Sequence, residues 1–234
     1  RGGSSGATSG FNNAVPPAQR EGSPWKTNDP TKIKEWWAGL SEKERQAFSD
    51  QDLKQIGGRD GLPAVVRDGA NQILLDRDIK DLETRAKHGG LNEAAQRALT
   101  NALKTREALD SVKEAETFLL VYDPRAYGGD GTVAISVGNP DTADNVTSYV
   151  PGLDSQMDTT GDGVSRALNL YKAADQVSPG SKNAVIYALV YDTPSNFGDA
   201  HDYNAVFSTG RAKEGSEIVA NFVNGLKTSR GDDQ

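Results

Sequence analysis

The chain has 234 residues, no cysteine, and 33 acidic against 26 basic side chains, giving a net charge of −7, a pI near 4.9 and a mean hydropathy of −0.62. That length allows one large domain, or a core domain with an appended helical region. Scattered Lys and Arg on an acidic chain argue against a general nucleic-acid or anionic-membrane binder, and the lack of Cys excludes disulfides, thiolate metal sites and a cysteine nucleophile.

Residues 1–24, "RGGSSGATSGFNNAVPPAQREGSP", have the Gly/Ser/Asn/Pro composition of a linker and little to bury, so they are expected to be a flexible tether. The chain opens on Arg1 rather than Met, as a processed product or a piece of a longer protein would. No run reaches the length of a membrane span and no signal-type segment is present; a cytoplasmic and an exported location stay equally open. Residues 25–116 read as a helical region. Ile33, Trp36, Trp37 and Leu40 recur at three-and-four spacing, and Ser41 with Glu44 forms a capping-box signature for the next helix. "GGRDGLP" breaks the pattern. A long helix follows from Pro63 through Ile73, Leu74, Ile79 and Leu82 to the two glycines of "HGG", and another is predicted from about Asn92 to Glu116.

At Thr117 the period changes, and residues 117–234 read as a partial α/β domain. "TFLLVYDP", "GTVAISVG", "NVTSYVPG" and "NAVIYALVYD" are short β-branched and aromatic runs bounded by Gly, Pro, Asn and Asp, which predicts four strands. "YGGDG" suits a close antiparallel connection between the first two, whereas the stretch between the third and fourth has room for a crossover helix. Ile218, Phe222, Val223 and Leu226 then share a face of a final helix. Only "GDDQ" follows, and an α/β sheet halted there would lack its next strand.

No G-x-S-x-G nucleophile turn occurs. His88 closes a helix and His201 sits in a polar loop, positions that suit surface histidines and assemble no triad. "DTTGDG" has Asp158, Asp162 and Gly163 at calcium-loop spacing, but Thr160 and Asn169 stand where the third and twelfth ligands belong, so no metal is expected. Trp36 and Trp37 fit either a sugar or partner surface or, more simply, packing of the helical region on the core. Asp123, Asp141, Asp144, Asp154 and Asp192 all fall at strand ends, where turn capping competes with acid–base chemistry and is the simpler role.

Taken together, "WWAGLSEKERQAF", "IGGRDGLPAVVRDGAN", "VAISVGNPDTADNVTSYVPGLDS" and "ALVYDTPSN…GSEIVANFVNGL" resemble a family of largely actinobacterial α/β-hydrolase-fold proteins of uncharacterised function, over most of residues 35–228. "GNPDTADNVTSYVPG" carries the most specific part of the likeness, because several of its residues have no evident packing reason. The resemblance implies an N-terminal helical region followed by the first half of an α/β-hydrolase sheet, with antiparallel opening strands and then parallel strands joined by crossover helices. It also implies that the nucleophile elbow, acid and histidine come later than residue 234. What it transfers is the loop after the third strand, where Gly152 and Leu153 match oxyanion-hole donors, with Asp154 and Asp192 as pocket-lining candidates.

The expected function is therefore the N-terminal portion of an esterase-like serine hydrolase, inactive without a C-terminal portion carrying Ser, His and Asp, and needing no cofactor. Its expected partners are that remainder, covalent or as a separate cleaved fragment, and a small acyl substrate. The alternative is a non-catalytic binding or structural module of a larger assembly.

Overall fold

The computed structural model describes residues 17–46, 52–152, 155–193 and 210–230. Short 3-10 turns at Pro17–Gln19 and Pro24–Lys26 lead into α1 (Pro30–Gly39), whose first turn is capped by the Asp29 carboxylate accepting from Thr31 N at 3.0 Å and Lys32 N at 3.2 Å. Ile33 and Trp37, one turn apart, face inward onto Trp25, Leu40, Ile56 and Leu62, so the tryptophan pair serves packing. Trp36 lies beside Trp25, with ring centroids 5.3 Å apart. The capping box forms as the spacing predicts: Glu44 accepts from the Ser41 amide at 2.8 Å and its hydroxyl at 2.7 Å, starting α2 (Glu42–Gln46).

After α3 (Leu53–Gly57) come two long helices, α4 (Ala64–Gly89) and α5 (Glu93–Ser111), the second capped by Asn92. α5 ends short of Glu116, because Val112 turns extended and buries its side chain beside the sheet, directing the chain into the first strand.

The four predicted strands form one sheet: β1 (Thr117–Asp123), β2 (Thr132–Val137), β3 (Asn145–Tyr149) and β4 (Asn183–Leu189), in the order β1-β2-β4-β3. β2 runs antiparallel to both β1 and β4, and β3 parallel to β4 through α6 (Thr160–Val177). The mixed α/β class is thus as the sequence implies. β2 and β4 are buried along their whole length because both faces are covered. Val133, Ile135, Val185, Tyr187 and Leu189 pack under α5 and α6, while Ala134, Ile186 and Ala188 meet Phe222 and Leu226 of α7 (Gly210–Arg230). A fully buried aliphatic side chain in such a core contributes about 1.5–3 kcal/mol.

β1 would be an open edge, and α4 closes it. A bulge between Leu119 and Val121 takes Leu120 out of the ladder with β2. Its freed carbonyl accepts from Arg67 Nε at 3.2 Å and Nη2 at 2.9 Å, while Arg67 Nη1 reaches Asp60 Oδ1 at 3.1 Å. One turn on, Asn71 Nδ2 donates to Leu119 O at 2.8 Å, and Asp68 accepts the Leu119 amide at 2.8 Å. Arg67 is only 1 % exposed. Burial opposes the charge on both members of its pair, lowering the Arg67 pKa and raising that of Asp60.

The opposite end of the sheet explains much of "GNPDTADN". Gly138 sits at φ +85°, with Asn183 O only 2.3 Å from where a Cβ would stand, so no other residue fits. Asn139 accepts from the Asp141 amide at 2.9 Å, Asp144 from the Lys182 amide at 2.8 Å, and Asn145 Nδ2 donates to Asn183 Oδ1 at 3.1 Å. Asp141 accepts the Ala64 amide at the start of α4 and the Ser229 hydroxyl near the end of α7.

Two expectations follow. Arg67→Ala leaves Asp60, the Leu120 carbonyl of β1 and the Gly57 carbonyl of α3 without their Arg67 donor and should lower unfolding free energy by about 3–5 kcal/mol, against about 0–1 kcal/mol for Arg125→Ala at the surface pair with Asp78. Urea denaturation of both variants measures this, and equal losses would refute the edge clamp. For Glu44, the Ser41 hydroxyl and then Arg20 hold the carboxyl down at about 2. Because the folded value is depressed, the capping box should be intact above the ordinary glutamate range and open only as pH falls toward 2, with an NMR-detected Glu44 midpoint near 2.

Candidate active site

In open α/β sheets, ligands bind beyond the carboxyl ends of the parallel strands. Here that edge gathers three segments: residues 124–131 after β1, the described residues of 150–157 after β3, and residues 191–193 after β4. They are tied to one another. Tyr191 Oη donates to Pro151 O at 2.8 Å, Thr193 Oγ1 to Ser155 O, and the Met157 amide to Asp130 O at 2.8 Å.

The Tyr191 bond has a geometric corollary. Pro151 is buried and its peptide to Gly152 is trans, so the Pro151 carbonyl and the Gly152 N–H point in opposite directions from one plane. With the carbonyl held toward the Tyr191 hydroxyl, the Gly152 N–H points away from that hydroxyl. Gly152 itself is exposed, and nothing lies within 4 Å of where its Cβ would stand. The Pro151–Gly152 peptide is thereby fixed at the end of β3 beside an exposed glycine. Burial raises the Tyr191 pKa, which keeps the phenol a proton donor.

The connection after β1 is more than a hairpin turn. Tyr127 adopts φ +50°, followed by Gly128 at +70°, Gly129 at +111° and Gly131 at +76°. A tyrosine in the left-handed region costs about 1–2 kcal/mol and stays there only because its surroundings hold it. Asn101 of α5 donates to Pro124 O at 3.0 Å and Gly129 O at 2.8 Å, and the Gly129 and Gly131 amides both reach Ala126 O at 3.0 Å. The ring, 41 % exposed, stands near Asp192 and Glu214; burial first, and then these two charges, raise its pKa.

Of the residues singled out in the sequence, Gly152 and Asp192 lie on this edge, while Leu153 and Asp154 fall outside the described residues. Asp123 pairs with Lys54 at 2.8 Å, and Asp141 and Asp144 hold turns, so these three serve structure. His88 is exposed on α4, its Nδ1 2.8 Å from Thr84 O, and His201 is outside the described residues. Asp162 falls in the first turn of α6, after Asp158 in the preceding 3-10 turn. Among the described residues no group of three or more metal-ligating side chains comes together, and no helix is long and apolar enough to cross a membrane. Tyr127 and Tyr191 escaped the sequence reading. Tyr191 belongs to the "YDTP" stretch that carried part of the resemblance, whereas a left-handed tyrosine leaves no sequence signature.

Comparison with known proteins bears on this edge. Residues 123–234 match a family described as alpha/beta hydrolase. The match begins at the end of β1 and takes in β2, β3, β4 and the loops just described. Two uncharacterised proteins of Mycobacterium tuberculosis, from strains CDC 1551 / Oshkosh and H37Rv, are each 32% identical over 217 residues, covering 83% of this chain. The chain spans about a third of their length, 32%. No solved structure matches. The α/β-hydrolase resemblance is thus supported over residues 123–234, and the relatives found are mycobacterial.

If Tyr127 is kept for its side chain rather than its backbone, Tyr127→Gly should leave the fold equally stable or stabilise it by up to about 1 kcal/mol in urea denaturation. A loss of more than 1 kcal/mol would instead make the ring a packing element.

Proposed function

We propose that the carboxyl edge of this sheet is the oxyanion side of an esterase-like serine-hydrolase site, with the serine, histidine and acid supplied by chain outside these 234 residues. The observation that carries the proposal is the Pro151–Gly152 peptide at the end of β3, whose carbonyl is held by Tyr191, whose N–H therefore points away from that hydroxyl, and whose glycine is exposed with room beside it. The match to alpha/beta hydrolases over residues 123–234 and the greater length of the mycobacterial relatives support it.

In such a site a serine hydroxyl, deprotonated by histidine, attacks an acyl carbon, and the carbonyl oxygen gains negative charge as the tetrahedral intermediate forms. Gly152 N–H, with Leu153 N–H beside it, would donate to that oxygen. Donors fixed before the reaction act because they need no reorganisation as charge develops. Gly152 leaves room for the substrate to approach the backbone. Tyr191 is a positioning residue, acting through the Pro151 carbonyl. Asp192 and Asp154 would line the acyl pocket with Tyr127 above it, consistent with a small ester substrate.

The test uses the longer natural protein that includes this chain. It should react with a fluorophosphonate probe and hydrolyse p-nitrophenyl acetate or butyrate, whereas the 234-residue chain should do neither. Gly152→Pro, which deletes one N–H, should lower kcat by about 10²–10³ with KM little changed, and Tyr191→Phe should lower kcat by a smaller factor. Absence of probe labelling in a folded, full-length protein would refute the hydrolase proposal and favour a non-catalytic module.

A further inference from the structure

A cavity lies on the α7 side of the sheet and shares no residue with the segments at the carboxyl edge. It occupies about 480 Å³ between α7 and the N-terminal helices, lined by Thr27, Asn28, Ile33, Arg59, Asp60, Asn221 and Asn224 among others. That size is ordinary for a small-molecule site. A smaller hollow of about 270 Å³ adjoins it through Gly58, Asp60 and Asn221 and is walled by Val121, Ile218 and Phe222.

The chemistry of the lining selects a ligand class. Its charges are already answered within the fold. Asp60 faces Arg67 at 3.1 Å, while Arg59 donates through Nη1 to Thr27 O at 3.0 Å and through Nη2 to Trp25 O at 2.6 Å. The Arg59 guanidinium also lies 4.8 Å from the Trp25 ring centroid. An anion entering here would meet the Asp60 carboxylate, and a cation would meet Arg59 and Arg67. A wholly apolar ligand would strip water from three amide side chains without replacing its hydrogen bonds, an unfavourable exchange. Each Asn offers two donors and an acceptor, and the carboxylate offers acceptors. Hydroxyl groups both donate and accept, so a molecule bearing several of them matches this lining, while Ile33, Ile218 and Phe222 suit its C–H faces.

The approach of α7 shapes the cavity. At Gly225 a Cβ would stand 2.3 Å from Asp60 Cγ, so the helix comes close enough for Asn221 and Asn224 to share the cavity with Asp60 only because that residue has no side chain. We propose that this cleft binds a small neutral polyhydroxylated ligand, a sugar or cyclic polyol, at a site separate from the hydrolase edge.

The intact 234-residue chain is titrated with glucose, trehalose and myo-inositol, using saturation-transfer NMR and calorimetry, with sodium phosphate and sodium acetate as anionic comparators. At least one of the three neutral ligands should bind. The Asn221→Ala/Asn224→Ala double variant alters only exposed side chains, so its thermal unfolding should match the parent while its affinity falls about tenfold or more. Gly225→Ala should weaken binding as well, by displacing Asp60. Tyr191→Phe should leave sugar binding unchanged, which separates failure of this proposal from failure of the hydrolase one. Lack of binding by all three neutral ligands, tighter binding of phosphate or acetate, or undiminished affinity in the double variant would each overturn it.

Discussion

A buried guanidinium closing a strand edge is the constraint on which this structure depends. Arg67 sits at 1 % exposure, far from bulk water, and is tolerable there only because Leu120, Gly57 and Asp60 take up its donors. The bulge that frees the Leu120 carbonyl and the helix that carries Arg67 therefore require each other. Through this contact the helical region and the sheet share one core. Leu75 of α4 packs in the same cluster as Leu119, Val133 and Tyr187, and Ala64 in the same cluster as Phe222.

From the clamp outward, the remaining packing falls into place. α4 is pinned to β1 along its first turns by Arg67, Asp68 and Asn71, and at its start by Asp141 from the turn before β3. α7 then crosses the same region, stacking Phe222 on Arg67 at 5.9 Å and ending where Ser229 and Arg230 reach Asp141 and Ala143. Two partly buried carboxylates at this seam, Asp60 and Asp68, have their pKa values raised by desolvation. The polar residues are spent at one end of the parallel strands on holding helices in place, which leaves the carboxyl end to loops whose backbone is only partly committed.

Legibility from sequence followed the range of the forces involved. Helices and strands set by local periodicity and capping were evident: Asn92 and the Ser41/Glu44 box lie where their spacing puts them, and the four strands and the parallel β3–β4 unit are as the pattern implies. Asp141 and Asp144 look like generic turn formers in the sequence, but their partners at Ala64 and Lys182 lie 77 and 38 positions away. The bulge at Leu120 is invisible because "TFLLVYD" alternates poorly and is apolar on both faces. Gly152 is singled out as a candidate by the family likeness, not by composition. Tyr127 was not reachable, since only backbone dihedrals distinguish a left-handed tyrosine from an ordinary turn residue.

The hydrogen bond from Tyr191 to the Pro151 carbonyl also has a temporal meaning. It joins residues 40 positions apart, across the one parallel strand pair of the described sheet. Until α6 has folded and β4 has docked beside β3, nothing there fixes the plane of the 151–152 peptide. Non-local pairings of this kind close late, because the intervening chain must first lose its freedom. The loop after β3 thus acquires its orientation at the end of sheet assembly, as a product of tertiary structure.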